Sequence, residues 1–172
     1  LYLLLFFDLD VAQLGRFYRT YSEAASKVYG SARPRPELRR PGRLRIGYLS
    51  GDVRDHVMGK MIYEWLDRHD RQRFEVYLYA TRLGEDAWAK RMTDASDHFA
   101  SLVSLSDETA IARIEADDID LLIDCSTHTR GARQAILAAK PARVQITSVG
   151  SAGCLGMSSI DFKLTDRIAD LP

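Results

Sequence analysis

From residue 43 to the end of the chain, strand-like and helix-like segments alternate, and that alternation narrows the possible folds more than any other feature. Leu44-Arg-Ile-Gly-Tyr-Leu49 reads as a buried strand, and Met58, Met61, Ile62, Trp65 and Leu66 then fall at helical spacing. Phe74 to Ala80 alternates like a strand, a helical segment follows over about 85–96, and His98 to Leu105 reads as another short strand. Ser106 is placed to cap a helix that carries Asp107 and Glu108 in its first turn, where their charge suits the dipole. Ile119 to Asp124 is a short apolar strand, Gly131 to Ala139 a helix stopped by Pro141, and Val144 to Val149 a strand. Phe162-Lys163-Leu164 adds a last one. Strands separated by helices of this length call for right-handed crossovers. The expected fold is therefore α/β, Rossmann-like, a mostly parallel sheet with helices on both faces. A hydrophobic content of 46% over 172 residues can fill its core.

The first 30 residues follow a different pattern. Leu1 to Phe7 is an apolar run, far short of the roughly 20 residues a bilayer span needs. No basic segment precedes it and no small-residue cleavage site follows, so a signal peptide is not expected. It reads as the tail of a helix whose earlier partners lie outside this sequence, and both ends of the chain read as cuts through a longer protein. Asp8 and Asp10 offer caps for a helix over about 11–29, ended by Gly30. Val11, Leu14, Tyr18, Tyr21, Ala25 and Val28 draw one apolar stripe along it. Residues 31–43 hold three of the prolines among several arginines and read as a stiff solvated spacer. No aromatic residue is interleaved there to stack bases. The domain plan is thus a helical segment over 1–30, a linker over 31–43 and a Rossmann-like lobe over 44–172.

Charge and cysteine content exclude several function classes. The chain has 24 acidic and 24 basic residues and a formal charge of zero. Nucleic acid and membrane are therefore not expected as partners. Cys125 and Cys154 imply no disulfide framework, and each is expected as a buried thiol in a reducing, cytoplasmic setting.

Parallel sheets bind ligands at the carboxyl ends of their strands. That rule selects three loops: Ser50–His56, Cys125–Gly131 and Gly150–Gly156. Together they carry two histidines, His56 and His128, with hydroxyls, arginines and glycine backbone. A histidine near neutrality can take a proton from a hydroxyl nucleophile, and Asp52 or Asp55 could orient its ring. Backbone amides at helix starts favour anions. His69 and His98 read as surface or packing residues. No HExxH or CxxC spacing supports a metal, and neither a dinucleotide G-x-G-x-x-G fingerprint nor a Walker loop is present.

The segment Arg43-Leu-Arg-Ile-Gly-Tyr-Leu-Ser-Gly-Asp-Val-Arg-Asp-His56 resembles the opening of the catalytic region of O-linked N-acetylglucosamine transferases and their bacterial relatives. The resemblance continues through Arg73–Ala80, Ile119–Arg133 and Lys140–Thr147 and closes with Ile160–Asp166, which covers essentially all of residues 43–172. The start of the chain resembles the junction after tetratricopeptide repeats in the same proteins. This resemblance implies the amino-terminal lobe of a two-lobed GT-B glycosyltransferase. Such enzymes move a sugar, usually from UDP-N-acetylglucosamine, to Ser or Thr hydroxyls of a protein or peptide acceptor, with inversion and without a catalytic metal.

On this basis His56 matches the family histidine proposed as general base. The substrate-binding positions implied are Asp52, Lys60, His128, Thr129, Arg130, Val149, Gly150, Ser151 and Ala152, with no metal ligand and no cofactor beyond the UDP-sugar cosubstrate. The nucleotide grip falls mainly to the second lobe, so this chain alone is expected to turn over nothing measurable. Two departures stand out. Val57 follows the histidine where the family commonly has Pro. Ser148–Cys154 replaces a loop that often reads Trp-Leu-Gly-Tyr-Pro-Gly-Thr, which removes stacking surface and turn rigidity. Two classes therefore stay open: a protein O-glycosyltransferase, and a non-catalytic relative that acts as a peptide-binding scaffold.

Overall fold

The structure, a computed structural model, describes residues 1–30, 41–148, 150 and 153–167. Six parallel strands form one sheet: β1 (Leu44–Ser50), β2 (Phe74–Ala80), β3 (His98–Ser101), β4 (Leu121–Asp124), β5 (Val144–Thr147) and β6 (Phe162–Lys163). Their order is β3-β2-β1-β4-β5-β6, a doubly wound arrangement whose direction of winding reverses between β1 and β4. The helices are α1 (Val11–Tyr29), α2 (Val57–Arg68), α3 (Ala87–Asp94), α4 (Asp107–Ala116) and α5 (Gln134–Ala139).

The period-2 pattern of the strands sorts side chains into two cores. Ile46 and Tyr48 of β1, Val76 and Leu78 of β2 and Ile123 of β4 pack with Ile62, Leu66 and Met92 of α2 and α3 on one face. Leu49, Tyr77, Tyr79 and Leu122 point the other way, onto Ala110, Ile114, Ile136 and Leu137 of α4 and α5. Helices therefore cover both faces, as the alternation requires. Register keeps the carboxyl ends of the central strands level. Ser50 lies beside Ala80, Asp124 beside Leu49, and Thr147 beside Asp124.

Several element ends differ from the sequence reading for local reasons. α5 starts at Gln134 rather than Gly131, because Gly131 has φ +97° and the Arg133 guanidinium turns away to Leu102 O, Leu105 O and Asp107. β3 stops at Ser101, where a turn closed by Leu105 N–H to Leu102 O begins. β5 ends at Thr147.

In α1, Asp10 and Gln13 form a reciprocal capping box. Its stripe is only partly used: Ala25 is buried, but Val11 and Val28 are 88% and 74% exposed, since only the middle of the helix meets the core. Leu1–Phe7 holds a short 3-10 turn over Tyr2–Phe6 rather than the end of an α-helix. The spacer predicted at 31–43 lies outside the described residues up to position 40. No described helix is long and apolar enough to cross a membrane. Cys125 is buried as expected, whereas Cys154 is exposed, because its loop runs over the surface beyond β5.

Candidate active site

The loops after β1, β2, β4 and β5 meet on one rim of the sheet, around the point where the winding reverses. Backbone contacts hold them together. Gly51 N–H donates to Ser126 Oγ at 2.9 Å, which ties the β1 loop to the β4 loop. Thr81 Oγ1 donates to Gly131 O at 2.6 Å, which ties the β2 loop to the same segment. Gly150 packs on the Cys125–Ser126 peptide so closely that a Cβ there would lie 2.7 Å from Cys125 O. Between them runs an open groove of about 420 Å³ lined by Asp52, Arg54, His56, Val57, Met58, Arg82, Thr129, Arg130 and Gly150.

His56 is the N-cap of α2. Its extended backbone turns the ring back over the helix start, where Nδ1 accepts from Met58 N–H at 3.2 Å. The side chain remains 36% exposed and faces the groove. Asp52 lies beneath it, with Oδ2 at 3.5 Å from Nδ1. The other oxygen, Oδ1, accepts from Arg54 Nε at 3.2 Å and Nη2 at 2.9 Å. Of the two carboxylates considered from the sequence, Asp52 is thus the one beside the imidazole. Asp55 turns outward to Lys60.

A glycine at position 59, which no sequence argument singled out, sets how closely α2 approaches this loop. A Cβ on Gly59 would lie 2.7 Å from Asp52 O and nearer still to Arg54 O, and neither carbonyl can move without dragging the loop. Gly59→Ala should cost about 1–3 kcal/mol of stability through overpacking, read as a lower denaturant midpoint. An unchanged midpoint would show that the helix and loop part without strain.

The remaining sequence candidates fall in two groups. Thr129 and Arg130 line the groove, with Thr129 Oγ1 donating to Ser126 O at 2.6 Å. Lys60 and His128 do not. Lys60 sits on the outer side of α2, with Nζ 2.8 Å from Asp55 Oδ1 and 5.3 Å above the Trp88 ring. His128 donates from Nε2 to Leu155 O at 2.8 Å and packs edge-on against Tyr21 of α1. Burial there lowers its pKa and favours the neutral ring. Val149, Ser151 and Ala152 lie outside the described residues. His69 reaches Tyr48 OH, and His98 stacks on Tyr77 beside Glu75, both away from the groove.

Arg54 lies in the Ser50–His56 loop selected from the sequence but was given no role there, and Arg82 was not selected. The strand-tip rule applied to β2 as well would have found Arg82, two residues past Ala80. Among the described residues no group of three His, Cys, Asp or Glu side chains is placed to hold a metal ion.

The family described as "Glycosyl transferase family 41" matches residues 29–171. A probable UDP-N-acetylglucosamine–peptide N-acetylglucosaminyltransferase, SEC, from Arabidopsis thaliana is 33% identical over 73% of this chain and 13% of its own length. A UDP-N-acetylglucosamine–peptide N-acetylglucosaminyltransferase from Caenorhabditis elegans is 32% identical over 73% of this chain and 11% of its own. The solved structure of the K341M mutant of the Thermobaculum terrenum O-GlcNAc transferase superposes with a TM-score of 0.85 at 29% identity, over 93% of this chain and 31% of that one. The chain thus spans a small part of the relatives it matches.

Proposed function

The chain belongs to glycosyltransferase family 41 as an amino-terminal lobe of the catalytic region, and from that premise we propose that the full-length protein is a protein O-glycosyltransferase. It moves a sugar, N-acetylglucosamine from UDP-N-acetylglucosamine, onto Ser or Thr hydroxyls of a protein or peptide, with inversion. The observation that carries this reading is an exposed imidazole beside a buried carboxylate, in an open groove at the switch point of a parallel sheet. The names of the matched relatives support the donor and acceptor classes.

In this reading residues 44–172 form one wall of the cleft and a second lobe grips the nucleotide. Residues 1–30 end a repeat region and 31–43 are a spacer. The UDP-sugar is the cosubstrate, with no resident metal or cofactor assigned, and the setting is the cytoplasm. The acceptor hydroxyl oxygen attacks the anomeric carbon from the face opposite the departing UDP, and its proton passes to His56 Nε2.

The geometry adds a condition on the tautomer. While Nδ1 accepts from Met58 N–H, a neutral ring carries its proton on Nε2 and has nothing to accept with there. For Nε2 to act as base, the proton must sit on Nδ1 and turn toward Asp52 Oδ2. Asp52 therefore sets the tautomer as well as the orientation, and the Arg54 guanidinium, bonded to the other oxygen, holds that carboxylate in place. Full-length protein given UDP-N-acetylglucosamine and a Ser-containing peptide should release UDP and form glycopeptide. Peptide binding with neither binding nor hydrolysis of the donor would reject the transferase and favour the scaffold.

A further inference from the structure

The groove carries more positive charge than proton transfer to an imidazole requires. Three guanidinium groups, those of Arg54, Arg82 and Arg130, line it against the single carboxylate of Asp52. That carboxylate is 6% exposed and already shared between Arg54 and His56. Arg82 and Arg130 make no hydrogen bond or ion pair with any described residue. Elsewhere a chain of zero formal charge neutralises many of its arginines: Arg45, Arg71, Arg113, Arg133 and Arg143 each meet a carboxylate. The groove thus keeps on its rim two cations that no described residue compensates.

Arg82 is also held in place. Its backbone follows Thr81, whose hydroxyl is bonded to Gly131 O, and its stem lies so close to Gly131 that a Cβ there would be 2.8 Å from Arg82 Cδ. Less side-chain entropy is lost when a guanidinium anchored this way binds a ligand.

We propose that Arg82 and Arg130 recognise an acidic acceptor segment, binding carboxylates that flank the Ser or Thr presented to His56. This rests on the transferase reading for the position of the acceptor hydroxyl. The tips of β1 and β2 are neighbours, about 4.8 Å apart, and an extended peptide rises about 3.3 Å per residue. A chain passing His56 therefore brings side chains one to three residues from the acceptor within reach of Arg82. Planar guanidinium groups match carboxylates in paired hydrogen bonds, so the site selects for charge and geometry together.

The test uses the full-length protein and two fluorescein-labelled Ser peptides, one with Asp and Glu on both sides of the serine and a twin with Asn and Gln. Fluorescence anisotropy should show the acidic peptide binding about tenfold more tightly, with the advantage shrinking as salt rises. Arg82→Gln should remove most of that advantage while the neutral twin changes less than twofold, and Arg82→Lys, which keeps the stem and charge, should restore part of it. Equal binding of the two peptides, no binding of either, or an Arg82→Gln effect confined to UDP-sugar affinity would overturn the proposal. The last result would assign the cations to the donor diphosphate. Because anisotropy needs no turnover, loss of charge preference and loss of transferase activity are separate results.

Discussion

Replacing His56 with asparagine in the full-length protein is expected to lower turnover about 100-fold or more while leaving the fold intact. The factor is the usual scale for removing a positioned general base. Asparagine is chosen because His56 has two duties. Its Nδ1 caps α2 by accepting from Met58 N–H, and asparagine is among the best residues for that task. His56→Ala removes both duties, so it should show the same loss of turnover plus about 1 kcal/mol of lost stability from the missing cap. The pair of variants separates chemistry from architecture. Wild-type turnover in His56→Asn would remove the imidazole from catalysis, and equal stability of the two variants would remove it from capping. The tautomer argument adds a pattern of its own. Asp52→Asn should depress turnover with little change in acceptor affinity, since the carboxylate is 6% exposed and acts through the ring.

The second large effect concerns Asp124, at the end of β4, where the loop that carries Thr129 and Arg130 begins. It is 1% exposed and accepts from Ser126 N–H at 3.0 Å, Thr127 N–H at 3.0 Å and Thr147 Oγ1–H at 3.2 Å. These bonds hold Thr127 in a left-handed turn, with φ 48°, and tie the β4 loop to β5. No described lysine, arginine or histidine pairs with it. Burial pushes its carboxyl up to about 6, although all three hydrogen bonds pull the other way.

An unfolded aspartate titrates near 4, so the folded chain holds this proton more tightly. The resulting stability is fully present below about pH 4 and is lost as pH rises through about 6. Holding the proton at about 6 rather than near 4 is worth about 3 kcal/mol. Carboxylates whose values are lowered, such as those of Glu75 and Asp86, give the opposite slope. The measurement is therefore a difference: unfolding free energies of wild type and Asp124→Asn in urea from pH 4 to 7. Wild type should lose about 3 kcal/mol relative to the variant across that range, and a flat difference would mean that the buried carboxylate is not penalised.

How much of this could be read before the structure depends on whether a feature is local. Asp10 before the α1 stripe and Ser106 before the acidic turn of α4 both announce helix starts, because a cap needs only its own next three residues. The strands were visible for the same reason, since Val76, Leu78 and Ala80 alternate with Tyr77 and Tyr79 within one short segment. The ends of α1 failed as core positions because Val11 and Val28 need a neighbour that the helical period cannot supply.

The site divides along the same line. Sequence alone determined the parallel α/β lobe, the strand-tip loops and the histidine with its nearby aspartates, because strand period and the reach of a short loop are properties of contiguous residues. Tertiary structure decided which of those side chains share a groove. It turned Lys60 out onto Asp55 and Trp88, drew His128 under α1, chose Asp52 over Asp55, and brought Arg82, just past the end of β2, into the groove with the β1 and β4 loops. It also revealed that α2 can approach the loop only because residue 59 lacks a Cβ. The physical reason is packing. The direction of a loop side chain is set by the elements that close around it, and those come from distant parts of the chain.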